Sequence, residues 1–251
     1  MTGATGGTGQ LIYKTFVEMG LTTRALVTSQ EKAKDILNCT LCDESEGIYV
    51  GDVTNASTLE PVMAGASFVA IAVGTSGSAA TNVQMSVEWM GVENQVSMLA
   101  TGAVASGRTP STLGVALISS MGTTDPSPPS YAGGTDLFWK LQGETFLATS
   151  GVPFTIVKPC GLLDGDAGAA ELLVGHDDVL LDTASIVANG FPSVTRADVA
   201  RVIAKALTDA SWRGAGLRFD LCSSPKGTPT PDSALDEVLR AAQWPWARSS
   251  R

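Results

Sequence analysis

The opening residues "MTGATGGTGQ" constrain this chain more than any other stretch. Gly3, Gly6 and Gly9 stand three residues apart. That spacing suits a turn from a strand into a helix. One glycine makes the bend, one lets backbone N–H groups approach a phosphate, and one lets the helix lie close to the sheet. The positive end of the helix then faces the anion. The helix is legible over 8–19, where Leu11, Ile12, Phe16, Val17 and Met19 recur near helical spacing and Gly20 supplies a stop. The strand is not: only Met1 and Thr2 precede the turn. In a doubly wound sheet this strand is central, and each buried backbone hydrogen bond left unmade costs roughly 1–3 kcal/mol. A domain with a net stability of about 5–15 kcal/mol cannot carry several such losses. The expectation is therefore a first strand cut short, with upstream residues or a partner chain sheltering the gap.

Beyond the turn, apolar runs alternate with helical patterns. Strands are expected at 24–28 ("RALVT"), 47–55 ("GIYVGDVTN"), 68–75 ("FVAIAVGT"), 113–122 ("LGVALISSMG"), in "PFTIVKP" and in "LRFDL". Helices are expected at 30–37, around Pro61, over "VEWMGVENQVSMLATGAVASG", over "DLFWKLQGETFLATSG", at 196–208 and near 231–243. This alternation predicts an α/β doubly wound parallel sheet with right-handed crossovers. No linker divides it, so residues 1–251 read as one domain, with 161–195 and 225–251 forming a small C-terminal lobe over the strand ends.

Charge and composition narrow the partners. A net charge of −9 over 251 residues argues against nucleic acid and anionic lipid. No run approaches the roughly 18 apolar residues of a transmembrane segment. Cys39 and Cys42 form a CxxC without a second pair nearby, and His176 is the chain's single histidine. The pair reads as structural, no metal site is expected, and four cysteines used this way fit a reducing compartment. Neighbours such as His176, Asp177 and Asp178 rarely converge on one ion.

The stretches "TGATGGTGQLIYK", "GDVTN", "VEWMGVENQ", "FWKLQGETFLATSGVPFTIVKPCGLLD", "ELLVGHDD", "TRADVA" and "FDLCSSPKGTPTPD" resemble the atypical short-chain dehydrogenase/reductase family. Within it they resemble the small plant chloroplast proteins with an NADP-binding Rossmann fold, over nearly the whole chain. The resemblance implies that Thr5, Gly6, Gly7, Thr8 and Gly9 wrap a pyrophosphate. It places Asp52 and Val53 at the adenine, Val73 and Gly74 behind the ribose, and Ser119 and Ser120 beside the nicotinamide. It further implies that Lys140 reaches the nicotinamide ribose and that Pro159 through Gly161 and Leu162 cover the nicotinamide face. Lys140 and Ser120 are the candidate catalytic residues. Taken singly, Asp52 also suits a turn cap and Lys140 a solvated helix lysine. The resemblance implies a chloroplast location, with the cytoplasm as the alternative.

Two departures shape the expected chemistry. An NADP site wants a cation after the second strand and an NAD site a carboxylate. Here Arg24, Ser29 and Lys32 stand near that strand and no acid ends it, so NADP is expected over NAD. The wider family uses Tyr-x-x-x-Lys, but four residues before Lys140 stands Asp136. An ordinary Asp titrates near 4 and is a poor general acid at neutral pH unless buried. Tyr131 reads as loop packing and Glu88 as an acid at a helix start. The function expected is a dinucleotide-binding reductase-like protein, a weak oxidoreductase on a small substrate. The alternative is a non-catalytic, redox-sensing or structural subunit of a larger organellar assembly.

Overall fold

The computed structural model describes residues 1–124, 134–181 and 192–244. Tyr131, the centre of the 123–134 loop and part of the expected lobe lie outside these residues. Helix α1 (Gly7–Glu18) is followed by β1 (Ala25–Val27), α2 (Gln30–Leu37), β2 (Ile48–Val50), α3 (Glu60–Met63) and β3 (Phe68–Ile71). A continuous helical stretch then comprises α4 (Thr81–Gln84), a π-helical segment (Met85–Met90) and α5 (Gly91–Ala105). Next come β4 (Gly114–Ile118), α6 (Gly134–Thr149), β5 (Phe154–Pro159), β6 (Gly161–Leu163), β7 (Glu171–Gly175) and β8 (Ser193–Thr195). The chain continues into α7 (Arg196–Thr208), β9 (Leu217–Ser224) and α8 (Leu235–Ala241).

Alternation along the strands explains the layering. Val115 and Leu117 of β4 pack with Val92, Val96 and Leu99 of α5 and with Leu147 of α6 on one face. Ala116 between them packs on the other face, with Ile12 and Phe16 of α1 and Val199, Val202 and Ile203 of α7. In β5, Ile156 and Val157 divide the same way. Strands buried on both faces are largely apolar, and this is why they read as near-continuous runs. The order β3-β4-β5-β9-β8-β6 is parallel from β3 to β9; β7 and β8 both pair antiparallel with β9. The result is a mixed, largely parallel α/β sheet. The short strands β6, β7 and β8 occupy the region that the sequence leaves less regular.

The sheet is interrupted where the first strand was expected to be short. Strands β1 and β2 pair with each other, and only Thr2 bridges β1, at Leu26, to β3, at Ile71. Backbone bonds hold this stub, among them Thr2 N–H to Ala70 O (3.0 Å), Leu26 N–H to Met1 O (2.9 Å) and Ala72 N–H to Thr2 O (3.2 Å). Behind it lies a cavity of about 340 Å³, lined by Thr22–Arg24, Val62, Met63 and Phe68–Ala70 among others. The Met1 ammonium is buried there and donates to Arg24 O at 2.7 Å. Burial, then the Arg24 charge, lower its pKa to about 5.

The cysteines differ from expectation. Cys39 is joined to Cys42, and Cys160, just after β5, to Cys222 of β9, both as disulfides. The first closes the turn after α2, where Glu46 accepts the N–H groups of Thr40, Leu41 and Cys42. The second ties β5 to its neighbour, a contact that 62 residues of separation conceal in the sequence.

Candidate functional site

The glycine turn opens onto a cleft of about 600 Å³ at the C-terminal ends of β3 and β4. This is where an open parallel sheet offers its ligand crevice. Gly6 is the N-cap of α1 and no side chain caps that helix. Its first N–H groups, at the edge of the cleft, are thus left for an anion. Gly3 has φ of +68°, and a Cβ there would stand 2.4 Å from Ala72 O; one at Gly9 would stand 2.0 Å from Gly3 O. A backbone this tight, with an uncapped helix start, fits a pyrophosphate.

Of the residues expected at the site, Gly6, Gly7, Thr8, Val73, Gly74, Ser119, Ser120, Lys140 and Leu162 line this cleft. Gly3, Thr5 and Gly9 shape the turn behind it, with Thr5 buried. Pro159 ends β5 and Gly161 begins β6, next to Leu162. The remaining four have local partners. Arg24 donates to the carbonyls of Pro61, Val62 and Ala64, at 3.3, 3.1 and 2.6 Å, and faces the 340 Å³ cavity. Ser29 caps α2, accepting from Lys32 N and donating to Glu31. Asp52 accepts from both the N–H and the hydroxyl of Thr54 at 2.8 Å. Val53 is buried against Gly91.

Lys140 and Asp136 lie one turn apart on α6. Lys140 Nζ donates to Glu88 Oε2 at 2.7 Å. Glu88 Oε1 accepts from the Thr75 N–H at 2.6 Å, and the Thr75 hydroxyl reaches both Glu88 (3.0 Å) and Asp136 (3.3 Å). This corrects the reading of Glu88 as a helix-start acid. It lies inside the long helical stretch, buried in the π-helical segment, and anchors Lys140. Asp136 also departs from an ordinary aspartate. Burial raises its pKa to about 6, with the Lys140 ammonium opposing and the Glu88 carboxylate adding to the shift. It can thus hold a proton nearer neutral pH than the residue type alone predicts.

The serines are tied. Ser119 donates to the buried Glu144 carboxylate, whose other oxygen accepts from Arg218 Nε at 2.8 Å. Ser120 donates to Met121 O at 2.9 Å.

Sequence reasoning missed three contributors. Arg196 and Asp164 line the cleft and pair at 2.8 Å; the signal available was a cation inside the Thr195-x-x-Asp198 capping pattern of "TRADVA". The third is Asp178, which accepts from the N–H groups of Gly122 (2.9 Å) and Thr124 (2.8 Å) and so fixes the loop after β4. Lys158, fully buried, bridges Asp178 (2.6 Å) and Asp220 (3.1 Å). Desolvation pushes both carboxyls upward. At Asp178 the Lys158 ammonium and the two N–H groups outweigh it and hold the pKa low, whereas Asp220 stays raised. The acids of "GHDD" therefore serve as a latch.

Comparison with known proteins agrees with this geometry. Residues 3–210 match the NAD(P)H-binding family. Sanguinarine reductase of Eschscholzia californica is 30% identical over 90% of this chain and 89% of its own length. An Arabidopsis thaliana protein, "Uncharacterized protein At2g37660, chloroplastic", is 31% identical over 92% of this chain and 71% of its own. Among solved structures, the oxidoreductase ylbE of Lactococcus lactis superposes with a TM-score of 0.68 at 16% identity, covering 97% and 99% of the two chains. ChuY, an anaerobillin reductase of Escherichia coli O157:H7, does so with 0.64 at 19% identity, covering 91% and 97%. The chain belongs to the NAD(P)H-binding family of Rossmann-fold, reductase-like proteins.

Proposed function

We propose that the chain is an NADP(H)-using reductase of a small organic acceptor, slow on simple carbonyl compounds. The observation that most supports this reading is the position of Lys140, which lines the cleft that the glycine turn opens and is joined through Glu88 and Thr75 to Asp136, one turn away on α6. A bound nicotinamide supplies the hydride. The chain's own residues do the rest. The first N–H groups of α1 would hold the pyrophosphate, Lys140 would donate to a ribose hydroxyl, and Ile118 and Leu162 would keep water from the reacting face. Asp136 holds a proton at its carboxyl. Ser119 and Ser120, with their protons committed to Glu144 and Met121, position and do not donate.

The preference for NADP over NAD is small. It rests on Lys32, exposed in the first turn of α2, and on the lack of an acid at the end of β1; Arg24 is engaged elsewhere and Glu31 bonds Ser29. Sanguinarine reductase, a relative at 30% identity, supports reduction, and the chloroplastic Arabidopsis relative supports a chloroplast location over the cytoplasm. Fluorescence titration with NADPH and NADH, followed by NADPH oxidation with aldehydes, ketones and quinones, tests the reading. Tighter NADH binding overturns the preference, and binding of neither overturns the site. The second reading, a nucleotide-binding subunit of a larger organellar assembly without turnover, is favoured by Asp in place of Tyr at position 136. Turnover lost on substitution of Asp136 counts against it.

A further inference from the structure

We propose that Arg196 and Asp164 form a clasp over the glycine turn, in which the Arg196 guanidinium leaves the Asp164 carboxylate for the pyrophosphate of an incoming dinucleotide. This rests on the reading of the 600 Å³ cleft as the dinucleotide site. Arg196 is the first residue of α7, and its backbone is fixed. Thr195 caps the helix on the Asp198 N–H at 3.0 Å, and the buried Asp198 carboxylate pairs with Arg201 at 2.7 Å. From this base the side chain reaches across the turn. A Cβ on Gly7 would lie 2.8 Å from Arg196 Nε and 3.1 Å from its Cδ, so the bare backbone at Gly7 is what admits the arginine. The guanidinium thus stands beside the uncapped start of α1, where two positive fields meet.

Asp164 is the local counter-ion, and it is loosely held. Its side chain is 92% exposed, and its bond to Arg196 is a single N–H contact at 2.8 Å. An exposed pair of this kind contributes little and yields to a better partner. A pyrophosphate is a better partner: it is anionic, offers several oxygens to the planar donor fork, and sits where the N–H groups of α1 also point. Asp164 therefore competes with the dinucleotide for Arg196, and the affinity of the site is set partly by a residue that need not touch the ligand.

The test is calorimetric titration of NADP⁺ and NAD⁺ into the wild-type chain, Asp164→Asn, Arg196→Gln and the double variant, with thermal unfolding as the control for folding. Asp164→Asn is expected to bind about 2- to 5-fold more tightly, the worth of an exposed ion pair. Arg196→Gln is expected to bind about 10- to 100-fold more weakly, with a shallower dependence on salt. In the Arg196→Gln background the Asp164→Asn gain should vanish. The changes should be equal for NADP⁺ and NAD⁺, which share the pyrophosphate. Unchanged or weaker binding by Asp164→Asn overturns the exchange. Unchanged binding by Arg196→Gln, or an effect confined to NADP⁺, overturns the assignment to the pyrophosphate. If the wild-type chain binds neither dinucleotide, the reading of the cleft is overturned and the clasp falls with it.

Discussion

Lys140 donates to Glu88 across 2.7 Å, from α6 to a helical segment wound wider than the turns on either side. Glu88 is 4% exposed and Lys140 14%. Removing one member leaves the other charged and poorly solvated. Glu88→Gln should therefore destabilise the fold by about 3 kcal/mol, the lower end for breaking a buried pair. It should also weaken dinucleotide binding, because Lys140 loses the contact that aims it. Urea denaturation and a fluorescence titration read the two effects.

Asp136 gives a pH signature. Its folded pKa of about 6 lies above the ordinary value of 3.8. The folded chain holds that proton where the unfolded chain has released it. The stability Asp136 contributes is thus full below pH 4 and is lost as pH rises through 6. Relative to Asp136→Asn, the wild-type chain should lose stability between about pH 4 and pH 6 and run parallel outside that window. If Asp136 is the proton donor, reduction should fall above about pH 6, and Asp136→Asn should lower turnover by about 10²-fold.

In a chain made to start at Met1, the buried amine there has the opposite sign. Its folded pKa of about 5 is below the ordinary 8.0, so the unfolded chain binds the extra proton and stability rises from pH 5 to pH 8. Two or three β-branched residues added ahead of Met1 would replace the amine with an amide and place side chains in the 340 Å³ cavity. The melting temperature should rise, the stability should increase by about 1.5–3 kcal/mol for each side chain fully buried, and this pH dependence should disappear. An unchanged melting temperature would show that the cavity does not accept a strand.

The Lys158 cluster yields a further expectation. Lys158→Met leaves Asp178 and Asp220 facing each other without their cation. The cost should be about 3–5 kcal/mol at neutral pH, shrinking as acid protonates the two carboxyls. A loss that does not shrink toward pH 4 would mean that packing, not charge, dominates there.

The fold was legible where burial is two-sided. Strands β3 and β4 are apolar throughout and β5 is apolar but for Thr155 and Lys158, because helices cover both faces, and the glycine turn declares itself by spacing. Strands β6 and β8, three residues each, are too short to show a period. In the site, Lys140 was readable from its place in a family pattern. The roles of Glu88 and Asp136 were not, because both arise from burial among residues 52 and 61 positions away. Arg196 was visible only as a cation in a capping motif; what it faces depends on Gly7, at the opposite end of the chain. Asp178 reads as half of an acidic pair until Lys158 is placed beneath it.

The wide turn at Met85–Met90 carries a last consequence. There the Gly91 N–H reaches back five residues, to Ser86 O. An α-helix advances about 100° per residue, and the wider turn takes up one extra residue while the helix on either side keeps its phase. Deleting one residue between 85 and 90 would let the helix run regularly from Thr81 to Ala105 with the α4 and α5 faces kept in phase, and would re-aim the side chains inside the segment. With α5 held by Val92, Val96 and Leu99 in the core, the change would fall on the segment itself and carry Glu88 away from Thr75 and Lys140. The link thus depends on the number of residues in the helix as well as on their identity.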